Sequence, residues 1–160
     1  MRAKRLKPIA RPFTEVAAAA MGRGTKSSTH PPFVGMFNGS LANARVFERL
    51  LHWSIVQGFR EFYKFISPCK NPFYKKGDSL EEETWMTRRQ IRHSLAYLSC
   101  DRVQETTGEK AEKMRTSYVW RRRGGGNLHW YDINYEYFTE RYAETLQNKV
   151  WLDSDPLVEE

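Results

Sequence analysis

The spacing of hydrophobic positions changes several times along this chain, and each change marks an element. In "SLANARVFERLLHWSIVQ", Ser40 to Gln57, residues Ala44, Phe47, Leu51 and Ile55 recur at three- and four-residue intervals, with Leu50 and Ser54 beside them. That period predicts a helix with one apolar face, capped by Ser40 and stopped at Gly58. His52 and Trp53 within it read as packing residues. "FREFYKF", Phe59 to Phe65, alternates and predicts a short strand. "ISPCKNPFYKKGD" follows, with two prolines, Asn71 and Gly77, and predicts a loop.

Two helix starts come next. Ser79 with Glu82, and Thr87 with Gln90, each have the spacing of a capping box, in which side chain and backbone bond reciprocally across the first turn. They predict a short helix from Ser79 to Trp85, a tight turn at Met86 and a second helix from Thr87 to about Ser99. This is the shape of a helix-turn-helix. Glu81, Glu82 and Glu83 complement the dipole of the first helix. In the second, Ile91, Leu95 and Leu98 share one face. Arg89, Arg92, His93 and Ala96 share the other, with Arg88 and Gln90 flanking near the start. A recognition helix presents its first residues to the base edges of the major groove. Arginine reads guanine and glutamine reads adenine, each with two hydrogen bonds. A small residue such as Ala96 lets the backbone come close. The bland alternative is a solvated basic helix.

The polar stretch Cys100–Thr116 predicts a short β-segment near Val103, then a loop or loose helix. Tyr118–Trp120 and Leu128–Asn134 predict two strands, separated by Arg121-Arg122-Arg123-Gly124-Gly125-Gly126. A linker would not be flanked by segments that pair. A phosphate loop needs a helix directly after its glycines, and a strand pattern follows instead. The remaining reading is a hairpin whose glycines turn the chain while the arginines ride on its tip. Tyr135–Gln147 predicts an amphipathic helix through Phe138, Tyr142 and Leu146.

Helix, helix, helix, hairpin is the order of an α+β winged helix-turn-helix with a β-hairpin wing and a C-terminal helix, spanning residues 40–147. Residues 1–39 hold four prolines, four glycines and no sustained period, and read as a basic, largely flexible N-terminal arm. Within it Phe33, Val34, Met36 and Phe37 are costly to leave wet, so Pro32–Phe37 is expected to pack on the domain as an extended segment. Residues 148–160 read as an acidic tail.

Charge then suggests a partner. The net charge is +7, divided as +6 over residues 1–40, +4 over 41–116, +3 over 117–126 and −6 over 127–160. A basic arm and a basic hairpin on a nearly balanced body suggest a polyanion, nucleic acid first. The candidate contacts are Arg88, Arg89, Gln90, Arg92 and His93 on the helix, and Arg121, Arg122 and Arg123 on the wing. Lys70, Lys75 and Lys76 in the loop, with Arg2, Lys4 and Arg5 in the arm, complete the set. The expected partner is double-stranded DNA, with RNA or protein of a larger nucleoprotein complex as the alternative and a homodimer left open.

Other chemistry finds no foothold. Cys69 and Cys100 have no closely spaced partners, so they read as thiols in a reducing cytoplasm, with a single disulfide as the alternative. His93 has no nucleophile and orienting carboxylate at suitable spacing, and no phosphate-loop or zinc-protease motif is present. A tyrosine nucleophile would need clustered metal ligands or a histidine pair. No catalytic residue, metal or cofactor is therefore expected. No apolar run approaches the ~20 residues that span a bilayer. The acid-poor start also fits an organellar transit peptide, though a cytoplasmic, nucleoid-associated protein is the primary expectation.

These segments resemble a family. Gly77-Asp78-Ser79 with Glu82-Glu83, Thr87-Arg88-Arg89 through Ser94-Leu95, and Trp130-Tyr131-Asp132-Ile133-Asn134 look like motifs of winged-helix proteins from phages, plasmids and other mobile elements. Many of those act as replication initiators or replisome organisers. The resemblance covers roughly 41–138 and implies DNA binding in replication or regulation of a mobile element. The sequence departs from the family at Leu80, where tryptophan is common, and in the long 100–116 segment.

Overall fold

The computed structural model describes residues 31–124 and 128–148. Its elements are α1 (Pro31–Met36), α2 (Leu41–Val56), β1 (Phe62–Lys64), α3 (Leu80–Thr84), α4 (Arg88–Leu98), β2 (Ser99–Asp101), α5 (Glu109–Arg115), β3 (Val119–Arg123), β4 (His129–Ile133) and α6 (Tyr135–Asn148). The strands form one mixed sheet in the order β1-β4-β3-β2. β4 runs antiparallel to both β1 and β3, while β2 runs parallel to β3. This is an α+β fold.

Pro32–Phe37 packs as expected but is helical, not extended. Two prolines start α1, where a missing N–H costs nothing. Asn38 and Gly39 then take left-handed backbone, φ 55° and 85°, and Gly39 N donates to Val34 O at 2.8 Å. Such a stop suits glycine. The helix buries Phe33 completely, edge-on to Phe47, Phe138 and Tyr142 at 5.7, 5.9 and 5.9 Å. Phe47 is the hub of α2, meeting Phe37, Tyr118 and Phe138 at 5.5, 5.5 and 5.3 Å between ring centres. Ile91, Leu95 and Leu98 of α4 close the same core, with Val119, Tyr131 and Ile133 of the sheet.

Both capping boxes form. Ser79 Oγ accepts from Glu82 N at 3.3 Å and Glu82 Oε2 accepts from Ser79 N at 3.0 Å. Thr87 Oγ1 accepts from Gln90 N at 3.2 Å and Gln90 Oε1 accepts from Thr87 N at 3.0 Å. Between them Thr84 Oγ1 donates to Leu80 O at 2.6 Å and accepts from Met86 N at 3.2 Å.

Glu82 also accepts hydrogen bonds from Tyr74 Oη at 2.7 Å and Gly77 N at 3.0 Å. Tyr74 first, then Ser79, holds its carboxyl down at about 2 against an ordinary 4.5, and the Tyr74 phenol is pushed up to about 12. A carboxyl depressed in the folded state stabilises fully above its ordinary value, and that contribution disappears as pH falls through the folded one. Glu82→Gln is expected to flatten the fall in melting temperature between about pH 5 and pH 2. An unaltered profile would contradict this account of the loop.

Glu83 does more than complement a helix dipole. It accepts from Trp53 Nε1 at 3.0 Å and from Lys64 Nζ at 2.8 Å, with Arg49 Nε at 3.6 Å. Lys64 is buried and lies 4.3 Å over the Trp53 ring. One carboxylate thus ties α2, β1 and α3 together and neutralises a buried cation.

The segment after α4 also differs from expectation. The β-segment expected near Val103 begins at Ser99 instead, directly where α4 ends, and pairs Cys100 with Trp120. Ser99 Oγ donates to Leu95 O at 2.5 Å, ending the helix without a loop. The helix within 100–116 is α5. Trp120 Nε1 donates to Met114 O at 2.7 Å, holding it against the sheet. Both cysteines are free thiols. Among the described residues, no helix is long and apolar enough to cross a membrane.

Candidate nucleic-acid interface

Arg121, Arg122 and Arg123 do not sit on the hairpin tip. They are the last three residues of β3, paired in register with Tyr131, Trp130 and His129. The strand runs on because each finds a partner on β4, and Gly124 N still donates to Leu128 O at 2.8 Å. The turn at 125–127 lies outside the described residues, as do Arg2, Lys4, Arg5 and the tail from 149 onward.

A strand sends neighbouring side chains to opposite faces, so the triplet is divided. Arg121 and Arg123 share the face of Tyr131 and His129. Arg92 of α4 acts on the same place. The His129 imidazole is lowered from its ordinary pKa first by burial, then by the positive charges of Arg121, Arg123 and Arg92, with Asp101 opposing. Positive charge from both helix and hairpin therefore acts on one histidine. Arg121 is held by Asp101 at 3.3 Å in an exposed pair. Among the described residues, His129 Nδ1 and Tyr131 Oη are buried without a hydrogen-bond partner.

Arg122 belongs to the other face. It donates to Glu61 from Nε at 2.7 Å and stacks 4.9 Å over Trp130. Trp130 meets Tyr63 edge-on at 5.4 Å. Arg102 continues the row, bonded to Asp132 at 3.0 Å and lying 5.3 Å over Trp120. A cleft of about 250 Å³ opens beside Tyr63 and Trp130, lined also by Trp53, Gln57, Glu61 and Asp78.

On α4, Arg88, Arg89, Gln90, Arg92 and His93 are all exposed. None of the three arginines has an ion pair to another described residue. Gln90 differs from its neighbours, because its carbonyl oxygen serves the capping box and only its amide NH₂ is left to donate. Lys70, Lys75 and Lys76 are exposed on the loop that Tyr74 and Gly77 pin to Glu82. No described interaction joins them to the Arg92–Arg121–Arg123 cluster.

Sequence reading missed His129, Asp101, Arg102 and Trp85. Extending the period-two pattern of β4 back through the arginines would have separated Arg122 from its neighbours. Trp85 was legible only as the residue squeezed between two capping boxes. Among the described residues, no group of three or more His, Cys, Asp or Glu is arranged to hold a metal. No protein-family model, curated protein or solved structure matches this chain.

Proposed function

We propose that this protein binds duplex DNA as a winged helix-turn-helix, without a chemical step. In this reading α4 enters the major groove and the β3–β4 hairpin follows the adjacent backbone. The carrying observation is that Arg92 of α4 and Arg121 and Arg123 of β3, the latter two on one strand face, all act electrostatically on His129, which links the charge of the helix to that of the hairpin. Two further features support it. The arginines at the start of α4 are exposed and unpaired among the described residues, ready for base edges and phosphates. The element order α2-β1-α3-α4-β3-β4, with β1 and β3 flanking β4, is compatible with a winged-helix arrangement to which β2 and α5 are added. A role in replication or regulation of a mobile element follows from the resemblance of the motifs.

Selection of binding sites from random duplexes by the purified chain tests the reading. Enrichment of a defined motif is expected, and its symmetry reports whether two copies bind together. No enrichment, with no retardation of duplex at physiological salt, would refute it. A second reading, docking on protein or RNA within a larger complex, is favoured by one observation: Tyr63 is 41% exposed beside Trp130 and the cleft. Stoichiometric co-purification of a partner, abolished by Tyr63→Ala, would favour that reading.

A further inference from the structure

Trp85 is the most exposed large hydrophobic residue described, at 93%, and its backbone is left-handed, φ 58° and ψ 22°. L-residues with bulky side chains avoid that conformation, and glycine or asparagine is the ordinary occupant. Its surroundings force it there. Trp85 N donates to Glu81 O at 3.0 Å, Thr84 and Met86 on either side are buried, and Met86 N donates to Thr84 Oγ1. The indole is therefore driven outward and cannot fold back onto the core. The backbone closes α3, but the exposed indole gains no burial in the free protein. Side chains held this way concentrate where a partner is gripped.

We propose that Trp85 packs on the sugar–phosphate backbone of duplex DNA, flanking the groove that α4 enters. This rests on the duplex-binding reading above. The residues that follow are Thr87, Arg88 and Arg89, all exposed, so the indole leads directly into positive charge at a helix N-terminus. A deoxyribose between two phosphates matches that pairing: an apolar face for the ring, with anions for the arginines and the helix start. A hydrophobic pocket on a protein would match the indole but not the unpaired cations beside it.

The test uses the full chain, its Trp85→Asn, Trp85→Gly and Trp85→Phe variants, and a fluorescein-labelled random-sequence duplex, with binding read by anisotropy and folding by thermal melting. Asn and Gly are expected to bind about tenfold more weakly, on the scale of losing one apolar side chain's burial. Their melting temperatures should equal or exceed that of the native chain, because both tolerate left-handed backbone. Phe should keep most of the affinity. Undiminished binding by Trp85→Asn would overturn the proposal, as would a melting temperature several degrees lower, which would mark Trp85 as structural. A native chain that fails to bind the duplex overturns the duplex reading itself.

Discussion

Replacing Arg121 and Arg123 together by alanine is expected to reduce the steepness of salt-dependent duplex binding by about two units, at roughly 0.9 for each phosphate that is no longer neutralised. Over a change from about 50 to 200 mM salt, two units make the variant's disadvantage roughly tenfold greater at the lower concentration. The weakening should be similar on all sequences, since phosphates carry no base information. Asp101 does not obstruct this. Its pair with Arg121 is exposed, and such pairs are worth only about 0–1 kcal/mol, so a phosphate displaces it readily. Arg122→Ala is the internal control. That side chain is engaged by Glu61 and Trp130 on the opposite face, so its removal should leave the salt slope unchanged. If Arg122→Ala and the double variant behave alike in titrations of labelled duplex, the division of the triplet between two faces has no bearing on binding.

The second large effect is on stability. Phe47→Ala should destabilise the fold by about 3–5 kcal/mol, the range for deleting a fully buried aromatic side chain. Domains of this size have only ~5–15 kcal/mol in total. The ring joins α1, the residue just after it, the approach to β3 and α6 through Phe33, Phe37, Tyr118 and Phe138, so no single neighbour can collapse into the space. A fall in melting temperature of more than about 10 °C is expected in calorimetry. A destabilisation below about 1.5 kcal/mol would mean that the aromatic cluster repacks and that α1 contributes little to the core.

What was legible in the sequence was mostly local. The two capping boxes read directly because reciprocal hydrogen bonds across one turn need only a fixed three-residue spacing. α2 and α6 were legible from apolar period, and β4 from alternation. What stayed hidden depends on partners distant in sequence. Arg121–Arg123 read as a tip because glycines follow, yet the strand extends through them once His129, Trp130 and Tyr131 are available to pair. β2 is too short to announce itself and exists because β3 offers a free edge. Pro31 and Pro32 argued for irregular chain, while the aromatic positions behind them found a pocket between α2 and α6 that suits a helix. Glu83 looked like one of three interchangeable acids. Only the fold brings Lys64 and Trp53 to it.

The candidate surface divides similarly. The exposed face of α4 was legible from helical period alone. Its link to the hairpin was not, because Arg92 and Arg121 are far apart in sequence and their common influence on His129 depends on the fold. Lys70, Lys75 and Lys76 looked equivalent to these arginines by charge, but their loop is anchored to Glu82 with no described interaction with the cluster.

Photochemical cross-linking of the full chain to a duplex carrying reactive bases and backbone positions, followed by mapping of the attached peptides, tests the central claim most directly. Attachment within residues 85–97 and 118–133 together is the predicted result. Attachment confined to residues 1–30, or to the Tyr63–Trp130 face, would contradict it.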